Sequence, residues 1–154
     1  MLRSTIRLMR PHQWLKNVFV LAGLAFGERL GNDGVMVHVL AIDGWTQAVL
    51  RSVAAAAVFA VVSSAIYVFN DLQDAAVDAL HPVKRSRPIA SGAVSKGLAV
   101  VLGVILLSSG IVWAHVLSPR LMYVMATYTV INVLYTIWWK NAVILDILSV
   151  ASGF

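Results

Sequence analysis

The stretch Asn70-Asp71-Leu72-Gln73-Asp74-Ala75-Ala76-Val77-Asp78 sets three carboxylates at positions i, i+3 and i+7. On an α-helix, at about 100° per residue, that spacing brings Asp71, Asp74 and Asp78 within an arc of roughly 60°. Carboxylates sharing one face repel one another, and in low-dielectric surroundings the repulsion calls for a compensating cation. Magnesium is the expected ion, because it takes oxygen ligands from one or two carboxylates and completes its octahedron with water and substrate phosphate. Asn70, beside the arc, offers a neutral carbonyl oxygen as a further ligand. The competing reading is a solvated acidic helix end. Against it stands Lys84-Arg85-Ser86-Arg87, a basic run that begins six residues after Asp78. Acids that hold a metal and bases that grip phosphate oxygens are complementary parts of a diphosphate site, and arginine suits bidentate phosphate contact. Taken alone, such a basic run is more often a topology determinant or a lipid headgroup contact than a phosphate grip.

Other groups fall at the same ends of apolar segments. Arg10-Pro11-His12-Gln13-Trp14-Leu15-Lys16-Asn17 combines a proline helix start with an interfacial tryptophan, and Arg10, Lys16 and Asn17 are candidates to line the polar mouth that holds the aspartates. Lys16, one turn into an apolar segment, must snorkel or find an anion. Tyr135, Trp138, Trp139 and Lys140 read as a second interfacial belt, and Asp146 follows about 9 Å further along a helix. A carboxylate at that depth is costly, so Asp146 is expected to face the interior of a bundle, the alternative being a structural hydrogen bond. His81 reads as a polar turn residue beside Pro82, while His12, His38 and His115 lack metal-ligand spacing.

These residues need apolar elements to position them, and the composition supplies them. Of 154 residues, 60% are hydrophobic and 12% charged, where a soluble domain has about a quarter charged; the mean hydropathy is +0.83. Cysteine is absent, which excludes disulfides and thiolate metal sites. The net charge of +5 does not point to nucleic acid, because the basic residues sit at the ends of apolar segments rather than along one amphipathic face. Ser52 to Phe69, Gly97 to Leu117 and Leu121 to Trp139 are each nearly or wholly uncharged and close to the roughly 20 residues a membrane crossing requires. Pro11 to Gly27 and the segment from Asn141 onward are weaker, giving five expected spans in an all-α, polytopic helix bundle forming one transmembrane domain over 1–154. A secretory signal at the N-terminus fits less well, since Trp14 and Lys16 look like anchors of a retained helix.

With the N-terminus inside, Arg3, Arg7, Arg10, Lys16, Lys84, Arg85, Arg87, Lys96 and Lys140 lie on the inner flanks and only Arg29, Arg51 and Arg120 outside. This bias predicts a cytoplasmic aspartate motif in an integral membrane protein. Small residues at Ala54 to Ala57, Ala60, Ser63, Gly103 and Gly110 permit close helix approach.

Together these features resemble the UbiA superfamily of intramembrane prenyltransferases. The resemblance rests on Asn70-Asp71-x-x-Asp74-x-x-x-Asp78 after an apolar helix and extends along the chain. Its flanks are most similar to the decaprenyl-phosphate phosphoribosyltransferase branch: Arg10 to Asn17, His81-Pro82-x-Lys84-Arg85-x-Arg87-Pro88-Ile89-Ala90-x-Gly92, and Tyr135 to Lys140. The resemblance implies a fold of about nine spans around a lipid-open cavity, with Mg2+ joining Asn70, Asp71, Asp74 and Asp78 to a diphosphate. It implies phosphoribosyl transfer from phosphoribosyl diphosphate to a polyprenyl phosphate, with Arg10, Lys16, Asn17, Lys84, Arg85, Arg87, Tyr135, Lys140 and Asp146 as substrate contacts. The runner-up is prenyl transfer from a polyprenyl diphosphate to an aromatic or other small acceptor; a non-catalytic, permease-like subunit is the reading from outside the enzymes. The superfamily's second aspartate motif does not occur before Phe154, so the chain is expected to be truncated within its fifth span and inactive by itself.

Overall fold

A computed structural model describes residues 2–30, 36–38 and 45–138. The architecture is helical: α1 (Leu2–Leu8), a 3₁₀ helix (Pro11–Leu21), α2 (Ala22–Phe26), α3 (Trp45–Leu80), α4 (Lys96–Leu117) and α5 (Pro119–Ile137). The departure from helix is small, two three-residue strands, β1 (Glu28–Leu30) and β2 (Met36–His38), paired antiparallel with Arg29 opposite Val37.

Among the described residues two helices, α3 and α4, are long and apolar enough to cross a membrane. At 36 residues, α3 extends about 54 Å at 1.5 Å per residue, well beyond a hydrocarbon core of about 30 Å. Its uncharged length ends at Phe69, so its last three turns, Asn70 to Leu80, carry the acidic motif past the apolar part. The expected crossing at Leu121 to Trp139 is helical as α5. The expected first crossing, Pro11 to Gly27, is not a continuous α-helix: an 11-residue 3₁₀ helix precedes the five-residue α2. None of its 11 residues is buried, so it lies against the bundle instead of inside it, tethered where Trp14 Nε1 donates to Ser64 Oγ at 2.9 Å. The expected fifth span, from Asn141, lies outside the described residues.

Packing centres on α3. Val58, Val62 and Ile66 meet Ala114 of α4 and Met125 of α5; nearer the acidic end, Ala65, Val68 and Ala75 meet Leu8, Ile89, Val94, Ala99 and Leu106. The outer faces remain apolar, with Val104, Ile105, Val112 and Val116 of α4 and Val124 and Val130 of α5 all more than half exposed. Such an exterior suits hydrocarbon better than water. Polar side chains on these helices satisfy themselves on the preceding turn: Ser108 Oγ donates to Val104 O at 2.8 Å and Thr129 Oγ1 to Met125 O at 2.8 Å. In a medium without water this spares each hydroxyl an unsatisfied donor. Ser95 caps α4 by accepting from Leu98 N at 3.3 Å. Ser118 ends α4, and Pro119 restarts the chain as the first residue of α5, where its missing N–H costs nothing.

The small residues divide by role. A Cβ on Gly110 would lie 2.6 Å from Val62 Cγ2, whereas one on Gly97 would meet nothing within 4 Å. Gly110→Ala is therefore expected to destabilise by about 1–3 kcal/mol through overpacking, while Gly97→Ala gains about 0.5–1 kcal/mol of helix propensity. Unfolding of detergent-solubilised protein followed by circular dichroism checks the opposite signs.

Candidate functional site

Burial and charge converge at the far end of α3. Asp71 and Asp78 are two turns apart on one helix face and only 2% and 3% exposed. Carboxylates so buried must be paired, and both are. Arg87 Nη1 donates to Asp78 Oδ2 at 2.6 Å and to Asp71 Oδ1 at 3.3 Å. Arg10 Nη2 donates to the same Asp71 oxygen at 2.6 Å. The result is a neutral set of two guanidiniums and two carboxylates.

Each arginine is delivered by a local device. After α3 the chain turns at His81, whose Nδ1 accepts from Val83 N and Lys84 N at 3.2 and 3.3 Å. The histidine thus acts as the turn residue the sequence suggests, its ring closing the loop. Lys84–Ser86 forms a single 3₁₀ turn. Beyond it Ile89 and Val94, 5% and 1% exposed, insert beside Ala75 and Ala99. The anchored loop is further closed by Ser91 N to Arg87 O and Val94 N to Pro88 O, both 2.9 Å. Arg87 is thereby held facing α3. Arg10 sits between α1 and the 3₁₀ helix with φ 51° and ψ 58°, the left-handed region that a β-carbon disfavours. Its guanidinium also lies 5.0 Å from the centre of the Tyr67 ring, a cation–π contact. One turn earlier on the same face of α3, Ser64 Oγ shares its hydrogen between Ala60 O and Met9 O at 2.7 and 3.0 Å, fixing the chain just before Arg10.

The expectation that three clustered carboxylates need a metal to balance them meets a different arrangement. Among the described residues no three His, Cys, Asp or Glu side chains converge as metal ligands. Asp71 and Asp78 are balanced by guanidiniums, and Asp74 lies half-buried at the edge of that face. The donor set still fits a hard divalent ion. It offers oxygen alone, and the single nitrogen of Arg87 that touches both carboxylates shows that one cationic centre can be reached from both.

The remaining candidates divide. Asn70, half-buried, meets the buried Thr136 hydroxyl of α5. Lys84 and Arg85 are exposed on the 3₁₀ turn that precedes Arg87. Asn17 is partly buried, and its Nδ2 is buried without a hydrogen-bond partner, an available donor. Lys16 is exposed and lines a hollow of about 450 Å³ with His12, Leu15, Val18 and Phe19. Tyr135 is half-buried near the end of α5. Lys140 and Asp146 lie outside the described residues. An apolar cavity of about 430 Å³ opens among α3, α4 and α5, lined by Ala65, Phe69, Leu72, Gly103, Leu107 and Val133. By helical spacing it lies on the opposite flank of α3 from Asp71, so it does not belong to the charged network. Sequence reasoning missed the Arg10–Asp71 and Arg87–Asp78 pairs as structural contacts. The signal available was that each arginine adjoins a proline, at Pro11 and Pro88, where a chain turns sharply.

Residues 34–154 match the model of the UbiA prenyltransferase family. The chain is 34% identical to decaprenyl-phosphate phosphoribosyltransferase of Mycobacterium tuberculosis H37Rv, over 98% of this chain and 47% of that protein. It is 37% identical to the enzyme of the same name from Corynebacterium glutamicum, over 97% of this chain and 42% of that one. Protoheme IX farnesyltransferase of Hyphomonas neptunium is 31% identical over 89% of this chain and 40% of its own length. The chain thus spans about half the length of these relatives, or somewhat less.

Removing Arg87 strands two buried carboxylates, whereas removing one carboxylate charge as well relieves them. Arg87→Gln is expected to destabilise by about 2–3 kcal/mol, less than a fully buried pair would because the guanidinium is partly exposed. The double change Arg87→Gln with Asp78→Asn should recover part of that loss. Denaturant unfolding of both proteins in the same detergent measures it, and equal midpoints for the wild type and Arg87→Gln would dissolve the network.

Proposed function

The chain belongs to the UbiA prenyltransferase family, and from that premise we propose that it carries the diphosphate-binding half of a membrane-embedded, Mg2+-dependent phosphoribosyltransferase. The substrates of this reading are phosphoribosyl diphosphate and a lipid-linked polyprenyl phosphate. The observation that carries it is the buried Asp71–Arg87–Asp78 bridge beside exposed Lys84 and Arg85, at the end of a helix of membrane-crossing length. The similarity to two decaprenyl-phosphate phosphoribosyltransferases supports the choice of branch.

In this reading Asp71, Asp74 and Asp78, with Asn70, hold magnesium, which when bound supplies charge neutralisation for a diphosphate leaving group. Lys84 and Arg85 take up phosphate oxygens as they arrive. Arg87 transfers guanidinium contacts from the carboxylates to the diphosphate, since its five donors suit phosphate as well as carboxylate. Asn17 Nδ2, buried and unpartnered, donates to an incoming oxygen, and Arg10 holds the Asp71 carboxyl in its orientation. Lys16 and Tyr135 contact substrate from the flanking helices, and Lys140 and Asp146 complete the substrate contacts of this reading. A polyprenyl phosphate oxygen attacks the anomeric carbon, the carbon–oxygen bond to diphosphate breaks, and the diphosphate leaves with the bonding pair. The protein accelerates the step by positioning and by preorganised positive charge.

The bundle of this reading crosses the membrane five times within this chain as part of a fold of about nine spans, in a bacterial plasma membrane. Its N-terminus and aspartate motif face the cytoplasm, consistent with the basic residues at that end. The likeness to a protoheme IX farnesyltransferase favours a second reading, in which the diphosphate is carried by a prenyl donor and a small acceptor attacks its allylic carbon.

Titration calorimetry of the detergent-solubilised chain separates the readings. The first expects Mg2+-dependent affinity for phosphoribosyl diphosphate, weakened by Asp71→Asn by at least about tenfold, since even outer-shell changes at metal sites cost about 10–100-fold. Tighter binding of farnesyl diphosphate would transfer the assignment to the second. No affinity for either would leave a non-catalytic membrane protein.

A further inference from the structure

Polar groups within an apolar bundle need partners, and the hydroxyls of Ser108 and Thr129 find theirs on their own helices. Tyr67 of α3 and Tyr128 of α5 differ: both are half-buried, and among the described residues neither hydroxyl donates a hydrogen bond. Asn132, also half-buried, uses one amide hydrogen on Tyr128 O at 2.8 Å, so its Oδ1 and second hydrogen are not engaged in that bond. The helices α3 and α5 advance in step: Met125 packs with Val58 and Val62, the Tyr128 ring lies 4.8 Å from that of Phe59 between centroids, and Thr136 reaches Asn70. Asn132 and Tyr128 therefore lie about 6 and 12 Å from the level of Asn70, one and two turns back along α5. Around α5, at about 100° per residue, they fall to one side of Thr136, while Thr129 and Val133 fall to the other. Thr129 and Val133 line the apolar cavity on the far flank of α3, so Asn132 and Tyr128 lie on the flank toward the aspartate face. Tyr67 occupies that face one turn before Asp71. The Arg10 guanidinium lies 5.0 Å from its ring centre, and Tyr67 and Tyr128 are close enough to interact electrostatically.

We propose that Tyr67, Tyr128 and Asn132 are specificity-determining residues that bind the sugar hydroxyls of phosphoribosyl diphosphate. The inference deepens the phosphoribosyl reading above and rests on it. A diphosphate held between Asp71 and Asp78 leaves the group esterified to it to extend along the adjoining surface, and between α3 and α5 that surface offers two phenol hydroxyls and a carboxamide. Each can donate or accept, so each can bond a sugar hydroxyl in either sense. Their neutrality matters as well: a further cation would compete for the diphosphate, whereas phenol and amide recognise the sugar alone. An isoprenoid chain in the same place would bury these groups unpaired, and a site built to hydrogen-bond a hydroxyl rejects a ligand that lacks one. The same three residues thus favour a ribosyl over a prenyl diphosphate.

The test is titration calorimetry of the detergent-solubilised chain with Mg2+, comparing phosphoribosyl diphosphate with inorganic pyrophosphate, which shares the diphosphate and lacks the sugar. Tyr67→Phe and Tyr128→Phe each remove one hydroxyl and keep the rings that contact Arg10 and Phe59. Each should weaken phosphoribosyl diphosphate by about 2–10-fold, the worth of one hydrogen bond. The double variant should lose more than either, with pyrophosphate binding unchanged throughout. Asn132→Leu should show the same selective loss, and the tyrosine variants carry the test if removing the Asn132 back-bond unfolds α5. A wild type without affinity for phosphoribosyl diphosphate would overturn the proposed function together with this inference. A wild type that binds it while the double tyrosine variant binds equally well, or loses pyrophosphate in parallel, would overturn the inference alone.

Discussion

One nitrogen, Nη1 of Arg87, holds two buried carboxylates two helical turns apart on α3, and much of the surrounding chain is arranged to bring it there. The ring of His81 closes the first part of the connecting loop, and Ile89 and Val94 pin the second part against Ala75 and Ala99. On the opposite side, α1 ends and the chain reverses hand at Arg10 to supply the second guanidinium. Without these two cations Asp71 and Asp78 would carry uncompensated charge against an apolar bundle, a cost of several kcal/mol for each ion. Two cations and two anions close the account locally. The network also explains why the acidic end of α3 stays helical and packed instead of splaying into solvent.

The length of α3 explains where this network sits. An apolar helix that ended at Phe69 would leave no scaffold for the aspartates. Three further turns hold Asp71 and Asp78 in register on the face that buries Ser64 and Val68 lower down, so the same stripe serves packing and charge. Asn70 lies off that stripe on the side of α5, which is why it meets Thr136 and not an arginine.

Much of this was legible in the residues. The periodicity of Asp71 and Asp78 puts them on one face whatever the tertiary fold, and the uncharged runs of α3 and α4 mark membrane-length helices. The family, too, is carried by the local motif. What was not legible depends on distant packing. Arg10 meets Asp71 across 61 residues, and no local preference encodes that pairing. The Thr136–Asn70 contact spans α3 and α5, and Thr136 in isolation reads as an ordinary polar side chain. The segment from Pro11 to Leu21 has the composition of a short apolar α-helix but is wound as 3₁₀, a choice of hydrogen-bond register to which side-chain hydrophobicity is blind. The arginine partners of the aspartates follow from the same limit: a carboxylate cluster announces a need for positive charge without saying which distant residues supply it.

The left-handed backbone at Arg10 sets two demands on one codon. Glycine would relax the dihedral angles, by about 1–2 kcal/mol, yet would delete the guanidinium that neutralises Asp71 and lies over Tyr67. Lysine would keep a charge but neither the planar fork nor the relaxed backbone. No single replacement improves both, so an evolutionary path away from arginine at this position has to pass through a less stable protein or change Asp71 at the same time.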